Sequence, residues 1–236
     1  MGSGCGHSDL CRKPWNDNNM NLHELALALV AYLKQRGYRW SEITGHKNLI
    51  YIEGATLYAG QVTPNFDNPD GWNDLRIVLE FTIEGVPFIS HIAKATCEPG
   101  TSATFSANAA KNNGVARLQL TQYLSAAKMG FHKGNKRHPA LVQVGTILVH
   151  RDANRDQKRT GDLISKATGI NHHGTRPGFN SGRVGMWSEG CCVAHSWNNH
   201  INFIELMKLD PRYIQYKEFA WDFTLIDSLK LKNPMV

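Results

Sequence analysis

The chain has 236 residues, 42% of them hydrophobic and 19% charged, a globular balance that excludes a disordered or fibrous protein and is long enough to bury a sizeable core. Its formal net charge is +6, which allows an anionic partner without requiring one. No run approaches the roughly 20 apolar residues that cross a bilayer as a helix.

In chain order, residues 1–20 ("MGSGCGHSDLCRKPWNDNNM") read as a flexible leader or an added remnant, carrying Cys5, His7 and Cys11. From about Leu22 to Gln35 the pattern predicts an amphipathic helix. Its apolar stretch, Leu25 to Leu33, follows His23 and Glu24 and lacks a small-residue cleavage site. It therefore does not read as a secretory signal, and synthesis in the cytoplasm is expected.

"NLIYIEGATLYAG" predicts a strand and turn broken at Gly54 and Gly60, and residues 21–70 are expected to form an accessory front end. Thr63 to Asp74, dense in Pro, Asn, Asp and Gly, predicts a loop. "LRIVLEFTIEGVPFISHIAKAT" then gives a hairpin about Glu84–Gly85. The stretch from Cys97 to Gly130 looks looser, with short strands around "GVARLQL" and Cys97 as a small core residue. Ala140 to Asp152 predicts one strand rich in β-branched residues. "NNHINFIELMKLDPRY" has helical spacing and stops before Pro211, and "EFAWDFTLIDSLKL" closes the chain with a strand. The sum is a mostly β, α+β fold whose main domain is residues 71–236.

Two basic clusters, His132–His138 ("HKGNKRH") and Arg151–Arg159 ("RDANRDQKR"), read either as contacts to an anionic polymer or as solvated loops. "DANRD" opens like a calcium loop, but Gln157 and Leu163 stand where that loop needs Gly and a closing Glu.

The densest chemistry lies in "HHGTRPGFNSGRVGMWSEGCC", His172 to Cys192. A thiol attacks only as its thiolate, so a catalytic cysteine needs a base, and acyl transfer needs amides aimed at the developing oxyanion. Gly190 and Cys191 can supply the turn and the thiol. His173 can fold back across the glycine-rich excursion. Neighbours in an extended segment face opposite ways, so Cys192 and His172 are not expected to share those roles.

"HHGT" followed by "SEGCC", with fourteen residues between His173 and Ser188, resembles the active-site signature of the L,D-transpeptidase catalytic domain family, as a divergent member. The resemblance implies a β-sandwich or barrel with a helix after the cysteine. It also implies a cysteine transpeptidase or hydrolase acting on peptidoglycan stem peptides through a thioester, with no cofactor or metal. Cys191 would be the nucleophile and His173 the base. Gly190 and Cys191 would give oxyanion amides, and Ser188 would hold the loop. His172, Thr175, Arg176, Trp187 and Glu189 would meet substrate, and Asp152, Asp156 or Asp162 is available to orient His173.

Glu189 and Val193 depart from the family pattern, which has His and then Asn or Arg at those places. Without a secretory signal, a phage lysis enzyme (endolysin) or a delivered antibacterial toxin reaching the cell wall is the expected setting. The alternatives are a non-catalytic wall- or nucleic-acid-binding module on the same fold, and a zinc-dependent hydrolase. Ligands for the latter would come from His172, His173, Cys191, Cys192, His195 and His200, which lack a zinc-type Cys-x2-Cys pair.

Overall fold

Strands dominate residues 19–231, the part of the chain described in this computed structural model; the leader with Cys5 and Cys11 lies almost wholly outside them. The first elements are β1 (Met20–Asn21) and α1 (Leu22–Arg36). Asn21 caps α1 by accepting from the His23 and Glu24 amides, and Glu24 returns a bond to the Asn21 amide, a capping box. Gly37 ends the helix in the left-handed region at φ 64°. These signals put the helix where its spacing predicts it. Among the described residues no helix is long and apolar enough to cross a membrane.

The remaining strands are β2 (Asn48–Glu53), β3 (Ala55–Tyr58), β4 (Gln61–Pro64), β5 (Asp74–Phe81), β6 (Pro87–Thr96), β7 (Val115–Leu118), β8 (Gln122–Phe131), β9 (Pro139–Gln143), β10 (Ile147–Asp152), β11 (Leu163–Ala167), β12 (His172–Gly174), β13 (Cys192–Ala194) and β14 (Ala220–Asp227). Eight of them close a barrel in the order β12-β13-β6-β5-β2-β14-β8-β9, sealed where His172 pairs with Leu141. Two short sheets flank it, β1-β4-β3 and β11-β10-β7.

The pairs β12/β13 and β2/β14 are parallel, so each needs a long crossover rather than a turn. For β12/β13 that crossover is the glycine-rich motif. For β2/β14 it is most of the chain. The front end is therefore not an appendage: Asn48–Glu53 is a barrel strand, hydrogen-bonded to β5 on one side and β14 on the other.

Burial explains why β2 and β5 read as nearly continuous apolar runs. In β2, Leu49 and Tyr51 enter the barrel interior, while Ile50 and Ile52 face outward beneath Leu25, Leu29 and Leu33 of α1. Likewise Leu75, Ile77, Leu79 and Phe81 of β5 lie in the outer layer, and Val78 lies inside. A strand covered on both faces loses the polar alternation of a half-exposed one. At the rim of this layer Lys47 and Glu80 form a buried ion pair.

Two further expectations change. Ala140 to Asp152 is two strands, β9 in the barrel and β10 in a flanking sheet. The chain breaks at Gly145, where a Cβ would stand 2.9 Å from Ala126 Cα and 3.0 Å from Ser125 O, an approach only glycine allows. The loose stretch holds a ten-residue barrel strand, β8. It also holds two short helices, α2 (Thr101–Thr104) and α3 (Ala107–Lys111). After the motif comes α4 (Trp197–Lys208), followed by α5 (Pro211–Gln215) with Pro211 in its first turn and Asp210 as its cap, as the spacing predicts.

Candidate active site

β12 and β13 lie side by side with His172 opposite Cys192 and His173 opposite Val193. Alternation along each strand then sorts the doublets. His172 turns into the barrel, fully buried, its Nδ1 2.9 Å from the Tyr51 hydroxyl and its ring against Phe223. Cys192 turns the same way, fully buried beside Cys97 and His172. His173 and Cys191 turn to the other side, where they meet.

A ring nitrogen of His132, a ring nitrogen of His173 and the Cys191 sulfur all lie within 4.8 Å of one another. The hydrogen bonds of His173 fix its tautomer. A carbonyl can only accept, so His173 Nδ1 must donate to Gly174 O, 2.8 Å away, and His138 Nε2 donates to the same oxygen at 3.0 Å. The proton of the neutral His173 ring is thus on Nδ1. Nε2 keeps a bare lone pair, buried and without a hydrogen-bond partner. His132 stacks on this ring, with centroids 3.9 Å apart, and Asn171 Nδ2 lies 3.2 Å from its Nδ1.

The half-buried Cys191 thiol has two weak contacts, accepting from the Asn171 amide and donating to Gly169 O, each at 3.5 Å. Burial pushes this thiol up to about 11, against the pull of the Asn171 amide and the Lys133 charge. Burial, then the neighbouring His132, holds His173 well below its ordinary value, and His132 is itself lowered to about 4, chiefly by burial. The resting pair is therefore a neutral thiol beside a neutral imidazole, not a thiolate–imidazolium pair. Iodoacetamide should accordingly label Cys191 slowly at pH 7, at a rate that climbs through pH 10 without levelling. A plateau below pH 8, read by peptide mass, would show an ion pair instead.

The turn that presents the thiol is locked by Ser188, whose hydroxyl donates to Cys191 O at 2.9 Å and accepts from the Gly190 amide at 3.1 Å. Backbone bonds from Gly100 to Ser188 O and from Ala116 to Glu189 O pin its outer side. Gly190 has φ 139°, and a Cβ there would lie 2.6 Å from Ala116 O, so no other residue fits. Because Ser188 takes the Gly190 N–H, that amide is not free for an oxyanion. The candidate donor is the Cys191 amide.

An open cavity of about 260 Å³ leads to this point, with His132, Lys133, Arg151, Trp187, Glu189 and Cys191 among its walls. Trp187 and Glu189 thus line the cavity, Glu189 also accepting from Asn108 Nδ2 at 2.8 Å. Three other expectations fail. His172 is a barrel-interior residue. Thr175 is fully buried, its hydroxyl donating to His195 O at 2.6 Å. Arg176 is exposed and outside the cavity wall.

The orienting group is also not a carboxylate. Asp152 is buried beside Arg117 and accepts from the Gln157 amide, Asp156 bonds within its own loop, and the Gly174 carbonyl holds His173. Of the six zinc candidates, among the described residues only His173 and Cys191 belong to a group of three possible ligands, the third being His132. His195 bonds to Ser181 O, and His200 lies between Pro139 O and Arg76.

Sequence reasoning missed His132, His138 and Asn171. The two histidines were visible, bracketing "HKGNKRH", but the cluster reads as charge rather than as imidazole. It also missed Arg76, which is fully buried in β5. Arg76 donates to the Tyr51 hydroxyl (2.9 Å), His200 Nδ1 (3.0 Å), His173 O (3.0 Å) and Cys192 O (3.2 Å), clamping β12 to β13. In the second basic cluster, Arg159 is taken by Glu53 and Leu118 O.

A larger cavity of about 430 Å³ lies between the end of α1, β2 and β14. Its arginines are already paired, Arg39 with Asp222 and Arg212 with Asp210. Comparison with protein-family models, with curated proteins and with solved structures finds no match.

Proposed function

We propose that the chain is a cysteine acyl-transfer enzyme acting on peptidoglycan stem peptides, with Cys191 as nucleophile and His173 as its base. The observation that carries this reading is the meeting of the Cys191 sulfur with an imidazole whose Nε2 is bare, beside an open cavity. The substrate class rests on the likeness of "HHGT…SEGCC" to the L,D-transpeptidase signature.

In this scheme Nε2 takes the thiol proton as sulfur attacks a stem-peptide carbonyl. The Cys191 amide faces the oxyanion, and the tetrahedral adduct collapses to a thioester as the amine leaves with the proton from His173. A second amine then completes transfer, or water completes hydrolysis. Because the thiol starts protonated, proton removal accompanies attack rather than preceding it. The setting that fits best is the bacterial wall, reached as a phage lysis enzyme or a delivered toxin.

The test is incubation of the full chain and Cys191→Ala with purified muropeptides, read by mass. Wild type should give either a cross-linked or exchanged product (transfer) or a shortened stem (hydrolysis), and Cys191→Ala should give neither. Identical spectra for wild type, Cys191→Ala and a no-protein control would favour a binding module instead.

A further inference from the structure

Beyond acyl transfer, the three side chains around the bare nitrogen make a ligand set. We propose that His132, His173 and Cys191 together bind one Zn²⁺ ion, leaving a fourth position open to the cavity.

Two imidazoles and a thiolate are donors zinc prefers, and three protein ligands with one open position is a common zinc arrangement. The donor atoms already lie within 4.8 Å of one another. Zinc bond lengths of about 2.0–2.3 Å imply donor separations of roughly 3.3–3.6 Å, so the site has to close by at most about 1.5 Å. An independent observation points to a missing ligand: His173 Nε2 is buried yet has no hydrogen-bond partner, and buried polar atoms of that kind call for an explanation.

The outer shell is in place. The Nδ1–H of His173 donates to Gly174 O, the backbone-carbonyl contact that fixes the tautomer and aim of metal-bound histidines. His132 is the ligand that moves. Its ring lies stacked on His173 at 30°, so it must swing to point a lone pair inward. It sits half-buried at the start of the short turn His132–Gly134, whose middle residue Lys133 has φ 50°. The charged groups on the cavity wall are Glu189, which favours a cation, and Lys133 and Arg151, which oppose one.

Binding replaces the S–H bond of Cys191 with a sulfur–zinc bond, and the proton goes to solvent. The metal site itself does not depend on the acyl-transfer reading. Its consequence, reversible blockage of nucleophile and base together, does rest on that reading.

The test uses Co²⁺ as an optical stand-in for Zn²⁺, titrated into the full chain with a non-thiol reductant. One equivalent should give a thiolate-to-cobalt charge-transfer band that Zn²⁺ abolishes. Cys191→Ser should lose the band. His132→Gln should weaken binding by at least about tenfold, since even outer-shell changes typically cost 10–100-fold. Circular dichroism confirms that both variants fold.

In wild type, Zn²⁺ should slow Cys191 alkylation and a chelator should restore it. No band, or a band that survives Cys191→Ser, overturns the site, as does unchanged alkylation under Zn²⁺. These readouts need no turnover. An inactive protein that binds Co²⁺ through Cys191 defeats only the enzyme reading, and an active one without the band defeats only the metal.

Discussion

His173→Gln should lower muropeptide turnover by about 10²- to 10⁴-fold, the usual worth of a positioned general base. The expectation follows from the protonation states in the site. The Cys191 thiol, raised to about 11, supplies almost no thiolate at neutral pH, so attack requires an acceptor at the moment of bond formation. The Nδ1 bond to Gly174 O leaves Nε2 as that acceptor. Glutamine keeps a polar side chain of similar reach but cannot take the proton.

The pH profile separates this role from a structural one. Burial holds His173 well below its ordinary value, so the ring stays unprotonated, and active, at pH values where a solvent-exposed histidine would already be charged. Activity of wild type should fall only when acidity reaches that lowered value, and this acid limb should vanish in His173→Gln. A variant with unchanged kcat, or one that keeps the limb, would remove His173 from the role of base.

Arg76→Leu carries the largest expected effect on stability, a loss of about 3–5 kcal/mol, from several buried hydrogen-bonding groups that lose a charged donor at about 1–3 kcal/mol each. The reason is what the guanidinium leaves behind. Leucine would strand His200 Nδ1, take a donor from the carbonyls of His173 and Cys192 and leave the Tyr51 hydroxyl with its His172 contact alone, each stranded group costing about 1–3 kcal/mol if it finds no new donor. No neighbouring carboxylate among the described residues pairs with Arg76, so the change leaves no buried charge behind and the cost is that of the hydrogen-bonding groups that lose their donor.

Because two of those carbonyls belong to the strands presenting His173 and Cys191, the site should loosen along with the fold. The measurement is the urea unfolding midpoint, with the slope checked for constancy. A shift below 1 kcal/mol would mean that the network re-pairs without its centre.

What could be read from the chain follows the range of the interactions involved. α1, the β5–β6 hairpin, α4 and β14 are set by local spacing, caps and turn residues, and they stand where those signals put them. The His173–Cys191 meeting was legible because glycines and a serine mark the turn around the thiol. Contacts between distant segments were not. β8 hides because its buried side chains include small ones, Ala126 and Ala127, which carry little apolar signal. The break at Gly145 reflects a close pass against β8 that no local pattern records. Assigning residues 21–70 to an accessory part failed for the same reason. β2 looks like an isolated strand until β14, at the far end of the chain, is seen to pair with it. His132, brought over the site by the β8–β9 turn, belongs to this class too.

The group that aims the imidazole is a main-chain oxygen. A scan of side chains for a third catalytic partner would therefore find none, however complete. Only an amide-to-ester exchange on either side of residue 174, altering the carbonyl's strength or position, would reach it. Being uncharged, that oxygen also lends the protonated ring less support than an aspartate would. The ring should consequently surrender its proton readily to a departing amine.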